Sequence, residues 1–208
     1  MSESVIVVHG LWLPGLETKL LRHRLQVAGF KPLLFQFPTL RGTLAQNVQR
    51  LAQFAAQVPG EKLHFVGYSL GGVVTLSMLA DRKQPQPGRI VCLGSPLTGC
   101  SVAKRISASA LGRAIVGRSL LEHTHRGGIM RWEQKSELGI IAGARSLGIG
   151  RLVAELPGAN DGTVAVVETA IPGATAHLTL PVTHTQLLFD RTVARQTIHF
   201  LRHGSFAA

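Results

Sequence analysis

Acidic residues are scarce in this chain. Of 208 residues, 11 are Asp or Glu against 22 Lys or Arg, a formal net charge of +11. Any catalytic carboxylate therefore comes from a short list. Charged residues together reach only 16%, while hydrophobic residues make up 45%. That balance excludes a disordered chain and leaves enough apolar side chain for a sizeable core. Long apolar runs are missing as well: no stretch approaches the roughly 18 residues of a membrane-spanning helix. The early run Val5-Ile6-Val7-Val8 is too short for a signal-peptide core and no basic leader precedes it, so a cytoplasmic location is expected. Cys92 and Cys100 are the only cysteines. They fit neither a disulfide framework nor a Cys-based metal site, and read as small buried hydrophobes. The basic residues are scattered, with few aromatic neighbours and no nucleic-acid motif, so nucleic acid is not an expected partner.

What is present is an alternation. Residues 5–9, 33–37, 62–67 and 89–93 are short apolar, partly β-branched runs that read as strands. Between them, 16–28, 44–58 and 70–79 carry apolar residues at helical spacing. Buried strands separated by amphipathic helices predict a mostly parallel sheet covered by helices on both faces. The rhythm lapses over 96–137, where one helix is expected near 102–121, followed by a polar stretch at 122–128. It resumes with strands at 138–142 and 176–182 and a closing helix at 187–202. Residues 145–160 are Gly-rich and read as irregular, and 163–167 as a short strand or a short helix. About six strands are expected in all, within a single domain spanning 1–208.

The segment His64-Phe65-Val66-Gly67-Tyr68-Ser69-Leu70-Gly71-Gly72 places Gly-x-Ser-x-Gly between an expected strand and an expected helix. A sharp strand-to-helix turn lifts the serine oxygen above the sheet edge, and small residues two positions away on either side let neighbouring backbones approach. The N-terminus of the following helix aims N–H groups and a positive dipole end at the same place. An ordinary Gly-rich turn would share the composition but not the strand and helix around it.

With this motif and His9-Gly10 at the end of the first strand, the chain resembles the α/β-hydrolase superfamily, in particular its small lipase- and esterase-like members. The resemblance implies a minimal α/β-hydrolase fold, a Ser–acid–His triad in that chain order and an oxyanion hole of two backbone N–H groups. Ser69 would be the nucleophile. The aspartates are Asp81, Asp161 and Asp190. Asp81 ends the helix that follows the serine and Asp190 begins the last helix, which leaves Asp161, in Asn160-Asp161-Gly162, with Glu155 and Glu168 as alternatives. Of the histidines beyond it, His177 starts a strand and His199 and His203 lie on the last helix. His184 follows the last strand, at the sheet end where sites in open α/β sheets gather. Leu70 N–H is the expected first oxyanion donor; Leu11 N–H, by resemblance to lipases with a His-Gly-x pattern, is the second. Trp12 and Tyr68, with Leu11 and Leu13, would wall an apolar substrate site. The implied activity is cleavage of acyl esters, with thioesterase, acyltransferase or noncatalytic binding as alternatives on the same residues or fold.

No cofactor or metal is expected: His123-Thr124-His125 has only Glu122 beside it and reads as a solvated loop. The family's usual leading hairpin is not expected ahead of the first strand, and 96–137 is expected to leave room only for a small cap. Residues 101–151 hold nine Lys or Arg against three Glu. Their apolar residues Val102, Ile106, Leu111, Ile115 and Leu120 form a helical stripe, read either as core-facing or as a weak peripheral contact with an anionic membrane.

Overall fold

The computed structural model describes residues 3–12, 14–60, 62–80, 87–147 and 156–208. Asp81, Leu13, Glu155, residues 148–155 of the Gly-rich stretch 145–160 and part of the 85–88 turn lie outside them. Six strands form one sheet in the order β2-β1-β3-β4-β5-β6: β1 (Ser4–Val8), β2 (Lys31–Phe35), β3 (Leu63–Tyr68), β4 (Ile90–Leu93), β5 (Leu138–Gly143) and β6 (Ala176–Leu180). All five pairings are parallel. The chain moves from β1 outward to β2, then returns past β1 to β3. The order therefore reverses between β1 and β3, the switch point where such sheets open a crevice at their carboxyl ends.

The four central strands β1, β3, β4 and β5 are buried on both faces, so each contributes to two cores by alternation. Ile6 and Val8 of β1 face one cluster together with Phe65, Ile90 and Ile140, while Val5 and Val7 face the other together with Val66, Val91 and Ile141. Helices α2 (Leu44–Ala56) and α3 (Leu70–Leu79) cover the first face, and α1 (Lys19–Val27) with the final helix α9 (Arg191–His203) the second. Helix α2 starts at a reciprocal cap: Thr43 accepts from Gln46 N–H, and Gln46 returns a bond to Thr43 N–H.

Several elements differ from the sequence reading, each for a local reason. Strand β2 begins two residues early and includes Pro32, tolerated because β2 is an edge strand. The expected first helix begins with a 3-10 turn (Leu16–Thr18), and Leu16 and Leu20 of its stripe point outward. The single helix expected over 102–121 is three: α4 (Ser101–Ile106), α5 (Ala110–Val116) and α6 (Arg118–His125). Ser109 caps α5, and Gly117, at φ 77°, turns the chain between α5 and α6. Helix α6 also takes up much of the expected polar stretch. The apolar stripe divides accordingly: Val102 and Leu120 enter the first core, Leu111 and Ile115 stay exposed. At 163–167 the chain forms a one-turn helix, α7 (Val166–Thr169), with only a single bridge between Asn160 and Ala165. The closing helix is two, α8 (Gln186–Phe189) and α9, because Asp190 accepts from Thr192 and Val193 N–H at 2.7 and 3.0 Å and starts α9 afresh.

Three buried histidines are held neutral, His64 and His9 by a backbone N–H bonded to one ring nitrogen and His123 by burial. His64 Nδ1 accepts Arg89 N–H at 2.8 Å, so its proton sits on Nε2, facing Glu3 at 3.1 Å. His9 Nε2 accepts Phe37 N–H at 3.3 Å while Nδ1–H donates to Gly10 O at 2.8 Å. His123 Nε2–H donates to Pro96 O at 2.8 Å. Burial pushes all three below the usual histidine range, the Glu3 charge offsetting this only in part at His64. In the unfolded chain each takes up a proton near pH ~6.5. Their contribution to stability is thus complete above that pH and is lost as pH falls through it toward the lowered folded values. The slope is about 1.4 kcal/mol per pH unit per histidine. Calorimetric Tm should drop between pH 7 and 5, ahead of carboxylate titration; a flat Tm over that range would contradict the neutral assignment.

Candidate active site

Ser69 lies on the turn from β3 to α3 with φ 52° and ψ −122°, one of two described non-glycine residues at positive φ. The neighbouring chain explains how this conformation is enforced. A side chain on Gly71 would run into the Val8 carbonyl oxygen and come within 2.6 Å of that of His9. The turn is therefore pressed against the end of β1, and Ser69 N–H is tied to Leu93 O at 2.9 Å on the other side. Such a strained position persists only where its surroundings over-determine it.

The sequence-expected residues Ser69, His184 and Asp161 are brought together. Ser69 Oγ is 3.1 Å from His184 Nε2, and His184 Nδ1 is 2.7 Å from Asp161 Oδ2. An ionised Asp161 can only accept, so His184 carries its proton on Nδ1 and offers a free Nε2 lone pair to the serine hydroxyl. Asp161 is 1% exposed. Its second oxygen accepts N–H groups of Thr163 and Val164 at 2.9 and 2.7 Å, and its backbone oxygen takes His184 N–H at 2.9 Å. The acid loop thus orients both the carboxylate and the loop bearing the imidazole.

The alternative acids are elsewhere engaged or undescribed. Glu168 is buried with its carboxylate on the N–H groups of Ser101 and Ala165, joining the start of α4 to the acid loop; Glu155 lies outside the described residues. His177 pairs with Thr169, and His199 and His203 face each other on α9. No group of three metal-binding side chains occurs among the described residues. Burial raises both cysteine thiols to about 12, which removes them as nucleophiles at neutral pH.

Leu11 N–H and Leu70 N–H have no backbone or side-chain acceptor among the described residues. For Leu70 this follows from its place as first residue of α3, where no intrahelical acceptor exists. Tyr68 is a buried wall: its ring packs 5.1 Å from that of His184, and its hydroxyl donates to His184 O at 3.3 Å. Burial, aided by the negative charges of Asp161 and Glu17, pushes its ionisation far above the ordinary tyrosine range, so it stays a donor. Trp12 is 52% exposed, has φ 69°, and donates its indole N–H to Ile115 O on α5 at 2.7 Å.

Sequence reasoning missed two residues. Gly94, directly after β4, is one: a side chain there would lie 3.1 Å from both Asp161 Oδ2 and His184 Nδ1. Its signal was a glycine directly at a strand's carboxyl end. Glu17 carried no signal: both its carboxylate oxygens are buried without a hydrogen-bond partner, close enough to influence Tyr68 and His9.

Strand order, the strained serine after β3, and an aspartate and a histidine delivered after β5 and β6 are the layout of the α/β-hydrolases, and this chain has the α/β-hydrolase fold. No family model and no curated protein matches it by sequence. Solved structures do match by fold. The mature form of the Bacillus licheniformis lipase BlEst2 superposes with a TM-score of 0.73 at 18% identity, covering 98% of this chain and 92% of that one. The metagenomic carboxyl esterase MGS0156 gives 0.67 at 18% identity over 98% and 75%. The RedJ thioesterase of prodiginine biosynthesis in Streptomyces coelicolor gives 0.62 at 15% over 96% and 85%.

Gly71→Ala should destabilise the fold by about 3 kcal/mol, the upper end of overpacking costs, because the obstacle is backbone that cannot rotate away. Urea unfolding measures this; a change under about 0.5 kcal/mol would mean that α3 is not seated against β1 as described.

Proposed function

We propose that this protein is a serine hydrolase that cleaves carboxylic esters through an acyl-enzyme intermediate. The observation that carries this reading is the unbroken hydrogen-bond sequence from Ser69 through His184 to Asp161. A serine hydroxyl is a weak nucleophile until a base takes its proton as it attacks. His184 Nε2 is that base; it then returns the proton to the departing alkoxide. Water, deprotonated by the same nitrogen, releases the acyl group. Asp161 holds the tautomer and stabilises the imidazolium.

Negative charge builds on the substrate carbonyl oxygen during each attack. Leu70 and Leu11 N–H are our two donors for it, the loss of one such donor costing about 2.7–4 kcal/mol in comparable sites. What supports Leu11 is the clamp behind it. Gly10 C=O and Leu11 N–H belong to one trans peptide and point opposite ways. His9, bonded to that carbonyl and stacked on Phe37 at 4.7 Å, therefore fixes where the N–H points. Trp12 and Tyr68 are our apolar walls. A small-molecule acyl ester is the substrate; no step requires a cofactor. Both cysteines are free thiols, and on that ground we place the enzyme in the cytoplasm. Thioesters would be cleaved by the same groups, and the fold likeness to a thioesterase keeps that chemistry as our second reading.

Ser69→Ala and His184→Ala should each remove nearly all esterase activity with the fold intact, the double variant being little worse than either, because such residues act as a unit. Asp161→Asn should fold and lose up to ~10⁴-fold. Fluorophosphonate should label the wild type and not Ser69→Ala. Substantial hydrolysis by pure Ser69→Ala would remove the assignment, and labelling without turnover would favour a binding role.

Residues 96–137 supply little enclosure over the serine, since Val102, Val116 and Leu120 are spent on the core. We therefore expect acyl chains of short to medium length. A panel of p-nitrophenyl esters, with one thioester alongside, should peak in that range; a rate still rising through very long chains would contradict it.

A further inference from the structure

We propose that the outer face of α5, together with Trp12, is a docking surface for an anionic lipid bilayer. The two α5 residues Leu111 and Ile115 stand four apart, hence on one helix face, and are 72% and 41% exposed. Trp12 is exposed beside them, fastened to Ile115 O through its indole N–H. Leu40, also exposed, adjoins them where Arg118 N–H bonds its carbonyl at 3.0 Å. These side chains form one apolar protrusion at the mouth of the site, because Gly10, two residues before Trp12, lies against Ser69.

The charges around the protrusion select the occupant. Residues 101–121 hold Lys104, Arg105, Arg113 and Arg118 and no acid. All four are exposed. The first carboxylate beyond them, Glu122, is turned inward to cap α2 through Leu44 N–H at 2.9 Å. Exposed apolar residues on a short helix that carries Arg113 and is flanked in the chain by exposed cations on the helices before and after it, with the nearest carboxylate withdrawn, match the chemistry of an interfacial helix: apolar side chains enter the acyl boundary and cations meet anionic headgroups. A protein partner would have to supply both an acidic rim and an apolar hollow, whereas an anionic bilayer presents both everywhere. Docking in this way does not depend on the serine chemistry. Its use, the capture of esters lying in the lipid surface, rests on the hydrolase reading above.

The test is co-sedimentation with phosphatidylglycerol or phosphatidylcholine vesicles at about 50 and 200 mM salt, using wild type and Ser69→Ala, combined with tryptophan emission. Trp132 is buried, so a blue shift reports Trp12. Both proteins should bind phosphatidylglycerol, more weakly at the higher salt because screening shortens the attraction, and neither should bind phosphatidylcholine. Lys104→Gln with Arg105→Gln should lose about 25-fold in partition coefficient, at roughly fivefold per basic residue. Leu111→Ser should weaken binding and reduce the blue shift. All these side chains are exposed, so the variants should keep wild-type rates on a soluble short ester. Equal binding to both vesicle types, or undiminished binding by the variants, would overturn the docking surface. Binding without turnover of any ester would instead remove the hydrolase reading and leave the docking intact.

Discussion

Everything at the candidate site depends on how closely the β3–α3 turn is pressed against the end of β1. Gly67 and Gly71 have no side chain because backbone atoms occupy the space where one would stand: Gly72 beside Gly67, and the Val8 and His9 carbonyls beside Gly71. That contact does three things at once. It holds Ser69 at φ 52°, it aims the first turn of α3 at the crevice, and it sets the His9–Trp12 loop next to the serine. The sheet's reversal of order between β1 and β3 opens the crevice at their carboxyl ends in which the contact lies.

The other half of the site is built with opposite means. Asp161 and His184 arrive on loops after β5 and β6, and loops need restraints of their own. Asp161 receives three hydrogen bonds besides that of the imidazole, two on its side chain and one on its backbone oxygen. Gly94 and Gly143 leave room for it, one on each side. Glu168 extends the same network to α4, so the Asp161 loop and the start of the 101–125 helical segment are tied by one buried carboxylate. Four of the acids, Glu122, Asp161, Glu168 and Asp190, hold backbone N–H groups in this way. Glu17 differs: both its carboxylate oxygens are buried with no hydrogen-bond partner among the described residues.

The segment between β4 and β5 is where local pattern and tertiary context diverge most. A helical stripe of Val102, Ile106, Leu111, Ile115 and Leu120 describes one helix; the fold uses it as three. Gly112 leaves room for the Ile106 carbonyl where α4 and α5 meet, and Gly117 turns the chain toward α2. Val102, Ile106 and Leu120 then join the core, while Leu111 and Ile115 are left outside beside Trp12. Periodicity records that a residue is apolar; it does not record which neighbour will cover it.

The sequence by itself determined the parallel α/β architecture, because buried strands and amphipathic helices carry periods that leave little choice of layer arrangement. It also marked Ser69, since a strand, a Gly-x-Ser-x-Gly turn and a helix are contiguous in the chain. Asp161 and His184 were reachable only through the chain order that the resemblance implies, narrowed by the scarcity of acids and by position after strands, because they lie 92 and 115 residues from Ser69 along the chain. Only the tertiary structure decided that Glu168 is a structural bridge, that Gly94 lies against the Asp161–His184 contact, and that Trp12 and α5 form one surface. Each of those facts is a contact between segments remote in sequence, and no local pattern encodes the distance between them.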